Sequence, residues 1–197
     1  MISETTEVIY SVNAHNFKIK LTNYYQYNKT LNILKNTDMF NNISNRRNFI
    51  DRVHIYKIDY AKAIQLTNKP LTQLRLVDRN HGTKISNPVL YYFKNFKPYK
   101  ADFNNYEEIK ILLDTMGWDL SYSYEIKSKR FINEDGSILI SLDETPVGYY
   151  INIECKSLYK IQKIVPQLFE LYYEDALFKS YPEIFKDVFA DKKELYF

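Results

Sequence analysis

Glu154 closes the apolar and aromatic run YYINIE, and Asn152 stands two residues before it, on the same side of any strand these residues form. An acid beside an amide at the end of such a run calls for a reason. Asp143 lies in the preceding strand-like run, SILISLDE. Basic residues punctuate other strand-like runs: Arg75 in QLRLV, Lys94 in YYFKNF, and Lys127 and Lys129 in YEIKSKRF. The last two are two residues apart and share a face. A sheet that rolls up would gather such groups inside. There, charges of one sign repel and lose hydration, so a basic interior needs an anion to fill it. A polyphosphate suits it, because Arg and Lys donate charge-assisted hydrogen bonds to phosphate oxygens. The plain alternative is that these lysines solubilise the water-facing half of an antiparallel strand. Periodicity does not separate the two.

The elements that must position these residues follow from alternation and punctuation. EVIYSV and NFKIKLTN are both strand-like, the second alternating Phe17, Ile19 and Leu21 with Lys18 and Lys20. YYQYNKTLNILKN reads as a helix. RVHIYKIDY and LTQLRLVDRN read as strands, and PVLYYFKNF as the partner of the latter. In NNYEEIKILLDTMGW, Asn104 or Asn105 caps a helix, two Glu sit in its first turn, and Gly117 marks its stop. Then DLSYSYEIKSKRFI, SILISLDE and YYINIECK form a three-stranded meander, joined by NEDG and TPVG turns. Two helical segments close the chain, and Pro166 is expected to interrupt or start a helix in the first. The order predicts an α+β fold with a large antiparallel sheet.

At 197 residues the chain suits one domain, read as 1–197, and 45% hydrophobic residues are enough for a core. No apolar run reaches the roughly 18–20 residues that span a bilayer, and no secretory signal is evident, so a cytoplasmic, intracellular location without membrane association is expected. One cysteine, Cys155, excludes an internal disulfide framework and a Cys-based zinc site; it is expected in the core, facing away from Glu154. A net charge of +3 fits an anionic ligand but is too weak to indicate DNA binding. There is no Gly-x-Gly-x-x-Gly and no Walker-type loop, against a Rossmann or P-loop nucleotide site. His15, His54 and His81 lack metal-ligand spacing and are expected at the surface or in loops. Trp118 is expected as a core or helix-face aromatic.

Six stretches in order resemble the CYTH, or triphosphate tunnel, family of class IV adenylyl cyclases and thiamine, inorganic and RNA triphosphatases. They are QLRLV, YYFKNF, LLDTMGW, YEIKSKRF, ISLDETPVGYYINIE and KSYPEIF, spanning roughly residues 71–186. The resemblance implies an antiparallel eight-stranded β-barrel, the tunnel, with flanking helices. It implies phosphate-binding roles for Arg75, Lys94, Lys127 and Lys129. Glu154, with Asp143 as the weaker candidate, would hold Mg²⁺ or Mn²⁺, which polarises phosphates and orients an attacking water. The substrate would be a small triphosphate or an RNA 5′ end, and the activity a metal-dependent triphosphatase with Glu154 catalytic. The chain departs from the family at its opening Glu-x-Glu-x-Lys strand. If FKIKLTN is the counterpart, the Glu positions hold Lys18 and Lys20; if EVIYSVN is, they hold Glu7 and Ile9. Asn152 stands where the last strand would carry its first Glu, and Lys129 replaces an Arg. The second reading is therefore a tunnel protein without catalysis that binds polyphosphate or nucleotide, or serves a protein partner as an interaction subunit. Cyclase activity is a third option, although nothing in the chain reads adenine.

Overall fold

The structure, a computed structural model, describes residues 15–43, 49–59, 61–62, 65, 73–80, 87–94, 97–170, 176–185, 188 and 193–197. Ten strands and four helices occur among them. The strands are β1 (His15–Leu21), β2 (Phe40–Asn42), β3 (Phe49–Lys57), β4 (Gln73–Asn80), β5 (Val89–Lys94), β6 (Lys97–Asp102), β7 (Asp119–Asn133), β8 (Ile138–Thr145), β9 (Gly148–Cys155) and β10 (Glu194–Leu195). The helices are α1 (Tyr24–Asn36), α2 (Tyr106–Thr115), α3 (Leu158–Phe169) and α4 (Tyr181–Ile184). Hydrogen bonding runs in the order β1-β9-β8-β7-β3-β4-β5-β6, with β2 and β10 both paired to β7. The ladders β1–β9, β2–β7, β3–β4, β3–β7, β4–β5 and β5–β6 are antiparallel, and β10 lies parallel on β7. The fold class is α+β with a many-stranded antiparallel sheet and flanking helices, as the order of elements predicts. The run EVIYSVN lies outside the described residues, so β1 is NFKIKL preceded by His15.

Local chemistry explains these elements. Asn23 caps α1 by accepting from the Gln26 N–H at 3.0 Å, while the Gln26 side chain accepts from Thr22 N–H. Asn105 caps α2 by accepting from Glu107 N–H at 2.9 Å, and Glu107 and Glu108 complement the positive end of the helix. The helix stops at Gly117, whose φ of +79° is the left-handed region. Helix α3 runs through Pro166 and ends at Glu170, also left-handed at φ +53°. Within PVLYYFKNF, Val89–Lys94 forms β5, which pairs with β4 and with β6, with Arg75↔Tyr91 and Tyr91↔Lys100 in register.

The chain divides into two compact units built from non-contiguous stretches. The first takes Met1–Asn45, Lys129–Asp143 and Gly148–Lys179; the second takes Arg46–Ser128, Glu144–Val147 and Ser180–Phe197. In the first, Phe17, Ile19 and Leu21 of β1 pack with Ile151 and Ile153 of β9 and Leu142 of β8, all at most 1% exposed. Helix α1 adds Leu31 and Leu34, and α3 adds Val165. Cys155 is in this core, and burial raises its thiol pKa. In the second unit, Tyr56, Leu74 and Leu76 of β3 and β4 pack under Ile109 and Leu113 of α2 and under Trp118.

Candidate functional site

The apolar side of β1, β9 and β8 determines what its other side carries. Alternation sends Phe17, Ile19 and Leu21 into the core, so Asn16, Lys18 and Lys20 take the opposite face. The β1–β9 register puts Asn16 opposite Glu154, Lys18 opposite Asn152, and Lys20 opposite Tyr150. Cross-strand partners share a face, so these six residues lie together in three rows. A two-residue turn, Pro146–Val147, joins β8 to β9 and puts Thr145 opposite Gly148. Counting back sets Asp143 beside Tyr150 and Ser141 beside Asn152. The same count aligns Leu142 with Ile151 and Ile140 with Ile153, as their shared core requires.

Lys18 is the notable member of this face. Its side chain is only 6% exposed, and its Nζ donates to Asn16 Oδ1 at 3.2 Å. Its backbone is clamped by Leu177, with Lys18 N–H donating to Leu177 O at 2.9 Å and receiving the reciprocal bond at 2.6 Å. Beside it, the half-buried Asn152 has its Oδ1 fully buried with no hydrogen-bond partner. Ser141 and Asp143 are buried at 5% and 3% exposure, and Glu154 is half-buried. On β7, Phe131 enters the core, so Arg130 takes the polar side and Lys129 the core side. Lys20 is exposed, and its Cε lies 3.6 Å from where a Cβ on Gly148 would sit.

The second unit sorts its charges the same way. Arg75 pairs with Ile55 on β3 and with Tyr91 on β5, and Ile55 pairs with Tyr122 on β7. Arg75 therefore shares a face with Tyr122 and, two residues along, Tyr124. Burial raises both phenol pKa values, that of Tyr124 to about 12, and the nearby Arg75 charge moderates the rise. Phe185 meets Tyr124 edge-on at 5.5 Å. Lys127 pairs with Ile50 and belongs to the other face, with Glu125 and Ser123. Its Nζ sits 3.5 Å above the Phe197 ring. Lys94 pairs with Lys97 at the end of the β5–β6 ladder, three positions beyond the partner of Arg75.

Arg75 and Lys127 take opposite faces of the second unit's strands, and Lys129 takes the core side of the first unit. Asp143 and Glu154 do share the polar face, but four ladder positions separate them, about 13 Å. One cation cannot be chelated by both, because carboxylate oxygens must come within roughly 2.0–2.6 Å of it. The lysine ammoniums of Lys18 and Lys20 on the same face add like charge. The donor set does not fit the Mg²⁺ or Mn²⁺ that the resemblance implies. Among the described residues no three His, Cys, Asp or Glu converge as metal ligands.

His54 is also corrected. It lies on β3 beneath α2, 7% exposed, with Nδ1 2.9 Å from Ser123 Oγ and its ring 5.0 Å from that of Tyr106. Burial, then the charges of Arg52 and Lys110, lowers its pKa to about 4, so it is neutral at pH 7. His15 begins β1, and His81 lies outside the described residues. The residues that sequence reasoning did not single out as ligands are Asn16, Lys18, Lys20, Ser141 and Arg130. The alternation of NFKIKL was the available signal for the lysines. An open hollow of about 440 Å³ on α1, lined by Tyr25, Lys29 and Asn32 among others, involves none of these residues. No helix among the described residues is long and apolar enough to cross a membrane.

No family model matches the chain, and no curated protein matches it significantly. Solved structures do. A Pyrococcus horikoshii protein is 17% identical, covers 90% of this chain and 99% of its own, and superposes with a TM-score of 0.68. A candidate adenylate cyclase from Vibrio parahaemolyticus is 15% identical over 87% of this chain and 96% of its own, with a TM-score of 0.61. A candidate adenylate cyclase from Bacillus halodurans is 10% identical over 86% and 95%, with a TM-score of 0.55. Over nearly its whole length, this chain has the same fold as these proteins.

Proposed function

We propose that the chain is a divergent triphosphate tunnel protein whose polar face on β1, β9 and β8 binds a polyphosphate-type anion. The ligand would be inorganic triphosphate, the triphosphate of a nucleotide, or an RNA 5′ end. The observation that carries this is the buried ammonium of Lys18, held in a row with Asn152 and Ser141 by the core behind it. An ammonium there donates charge-assisted hydrogen bonds to phosphate oxygens. The Ser141 hydroxyl and the Asn152 amide, turned so that its NH₂ faces the ligand, supply neutral donors. Lys20 and Arg130 extend the positive side of the face. The fold shared with candidate adenylate cyclases supports the ligand class.

Metal-dependent hydrolysis is the second reading, and Glu154 favours it. Its carboxylate remains on this face. Titration calorimetry with inorganic triphosphate tests the binding. Saturable binding that weakens with rising salt is expected, and no heat together with no rise in melting temperature would overturn the proposal. Phosphate release in Mg²⁺ or Mn²⁺, abolished by Glu154→Ala, would establish the second reading.

A further inference from the structure

The mismatch between the implied metal and the residues present has a sharper consequence. Resting on the anion-binding reading above, we infer that the Lys18 ammonium takes the place of the divalent cation, so the ligand is taken up as the metal-free polyphosphate anion. Three observations converge on it. Lys18 is more than nine-tenths buried, so its charge is weakly screened by solvent and salt. It sits directly opposite Asn152 and diagonal to Glu154 in the β1–β9 ladder, at the end of the face where the resemblance would put the metal. The neighbouring Asn152 Oδ1 is buried without a partner, and rotation of the amide presents its NH₂ to an anion instead. A fixed cation beside the Asn152 amide, with the Glu154 carboxylate diagonal to it, can hold phosphate oxygens without a bridging ion. Divalent cations would then compete, because a triphosphate that carries Mg²⁺ has less charge to offer Lys18.

Diagonal neighbours in an antiparallel ladder are roughly 7–8 Å apart, within reach of a shared ion. A carboxylate at position 18 would therefore pair with Glu154 across one cation. That makes the role of Lys18 invertible and gives the experiment its design. Triphosphate binding to the full chain is measured by calorimetry in EDTA and in excess Mg²⁺, for wild type, Lys18→Met, Lys18→Glu and Lys20→Gln. Circular dichroism and unliganded melting temperature verify that each variant folds. Wild type is expected to bind in EDTA at least as tightly as in Mg²⁺. Lys18→Met, which keeps the apolar stem, should lose about tenfold or more in affinity, and Lys20→Gln much less. Lys18→Glu should bind only when Mg²⁺ is present.

Wild-type binding that requires Mg²⁺, or affinity in EDTA that survives Lys18→Met, would overturn this inference and leave the anion-binding proposal intact. No wild-type binding in either buffer would remove both. If Lys18→Met does not fold, the comparison of wild type in EDTA and Mg²⁺ still decides the matter.

Discussion

Lowering the pH should loosen the second unit through His54. In the unfolded chain this imidazole titrates near 6.5, and in the folded protein burial lowers its pKa to about 4. The folded state thus resists taking up a proton that the unfolded state accepts readily. Above about pH 6.5 both states hold the neutral ring, and the contribution to stability is intact. As the pH falls from 6.5 towards 4 the unfolded state is protonated first, and stability is lost progressively. A gap of about two and a half pH units corresponds to about 3 kcal/mol by linkage, a large share of an ordinary domain's stability. The ring cannot easily escape this penalty. It is packed between Tyr106 and Ser123, with the cations Arg52 and Lys110 raising the cost of a second positive charge.

The assay is urea unfolding at pH 7.5, 6, 5 and 4, for wild type and His54→Asn. Asparagine keeps a hydrogen-bonding group near Ser123 Oγ but does not titrate. At pH 7.5 the variant should be less stable by roughly 1–2 kcal/mol, from lost ring packing. By pH 4 that deficit should have closed and reversed, because only wild type loses the His54 contribution. Carboxylates elsewhere titrate in both proteins and cancel in the difference. If the two stability curves fall in parallel between pH 7.5 and 4, or if the His54 ring protons titrate near 6.5 in the folded protein, the reasoning is wrong.

Three further outcomes follow from the same packing and register. Phe17→Ala removes a ring that is fully buried in the first unit's core and should cost about 3–5 kcal/mol, read as a lower guanidinium midpoint with little change in slope. Asn105→Ala removes the acceptor for Glu107 N–H and should cost about 1 kcal/mol, while Asn105→Asp should hold stability near wild type. Lys127→Ala should leave triphosphate affinity within about twofold of wild type, since its ammonium lies over Phe197 on the face away from Arg75; a tenfold loss in calorimetry would return Lys127 to the ligand.

What could be read from the chain was what depends on neighbours in sequence. Asn105, the two glutamates and Gly117 delimit α2 by chemistry confined to a few residues, and the turns after β7 and β8 rest on Gly136 and on Thr145–Gly148 in the same way. The class of fold followed from the order of such elements. Which face each charge occupies did not, and β7 shows why. Its run Lys127–Ser128–Lys129–Arg130 carries charge at both parities, so alternation within the run is uninformative. Partners distant in sequence settle it: Phe131 enters the core with Phe17 and Leu142, and Tyr124 packs on Phe185. His54 was misjudged for a related reason. Its neighbours Val53 and Ile55 are themselves buried, and only the covering helix α2 makes both sides of β3 interior.

The same dependence makes the position of Lys18 more secure than that of an ordinary surface lysine. A slip of β1 by one residue would expose Phe17, Ile19 and Leu21 and drive Lys18 and Lys20 into the core. Each of those three apolar side chains is worth about 1.5–3 kcal/mol when buried, and an unpaired ammonium in the core adds further cost. The register is therefore held by several kilocalories that have nothing to do with a ligand. Leu177 fixes the outer edge of the same strand at the Lys18 backbone. A charge placed in this way does not need to be ordered when an anion arrives, so the entropy of fixing a long flexible side chain is not charged against binding. A surface lysine such as Lys20 lacks that advantage. On this argument the two lysines of β1, identical in chemistry and two residues apart, should differ markedly in what their removal does to triphosphate affinity.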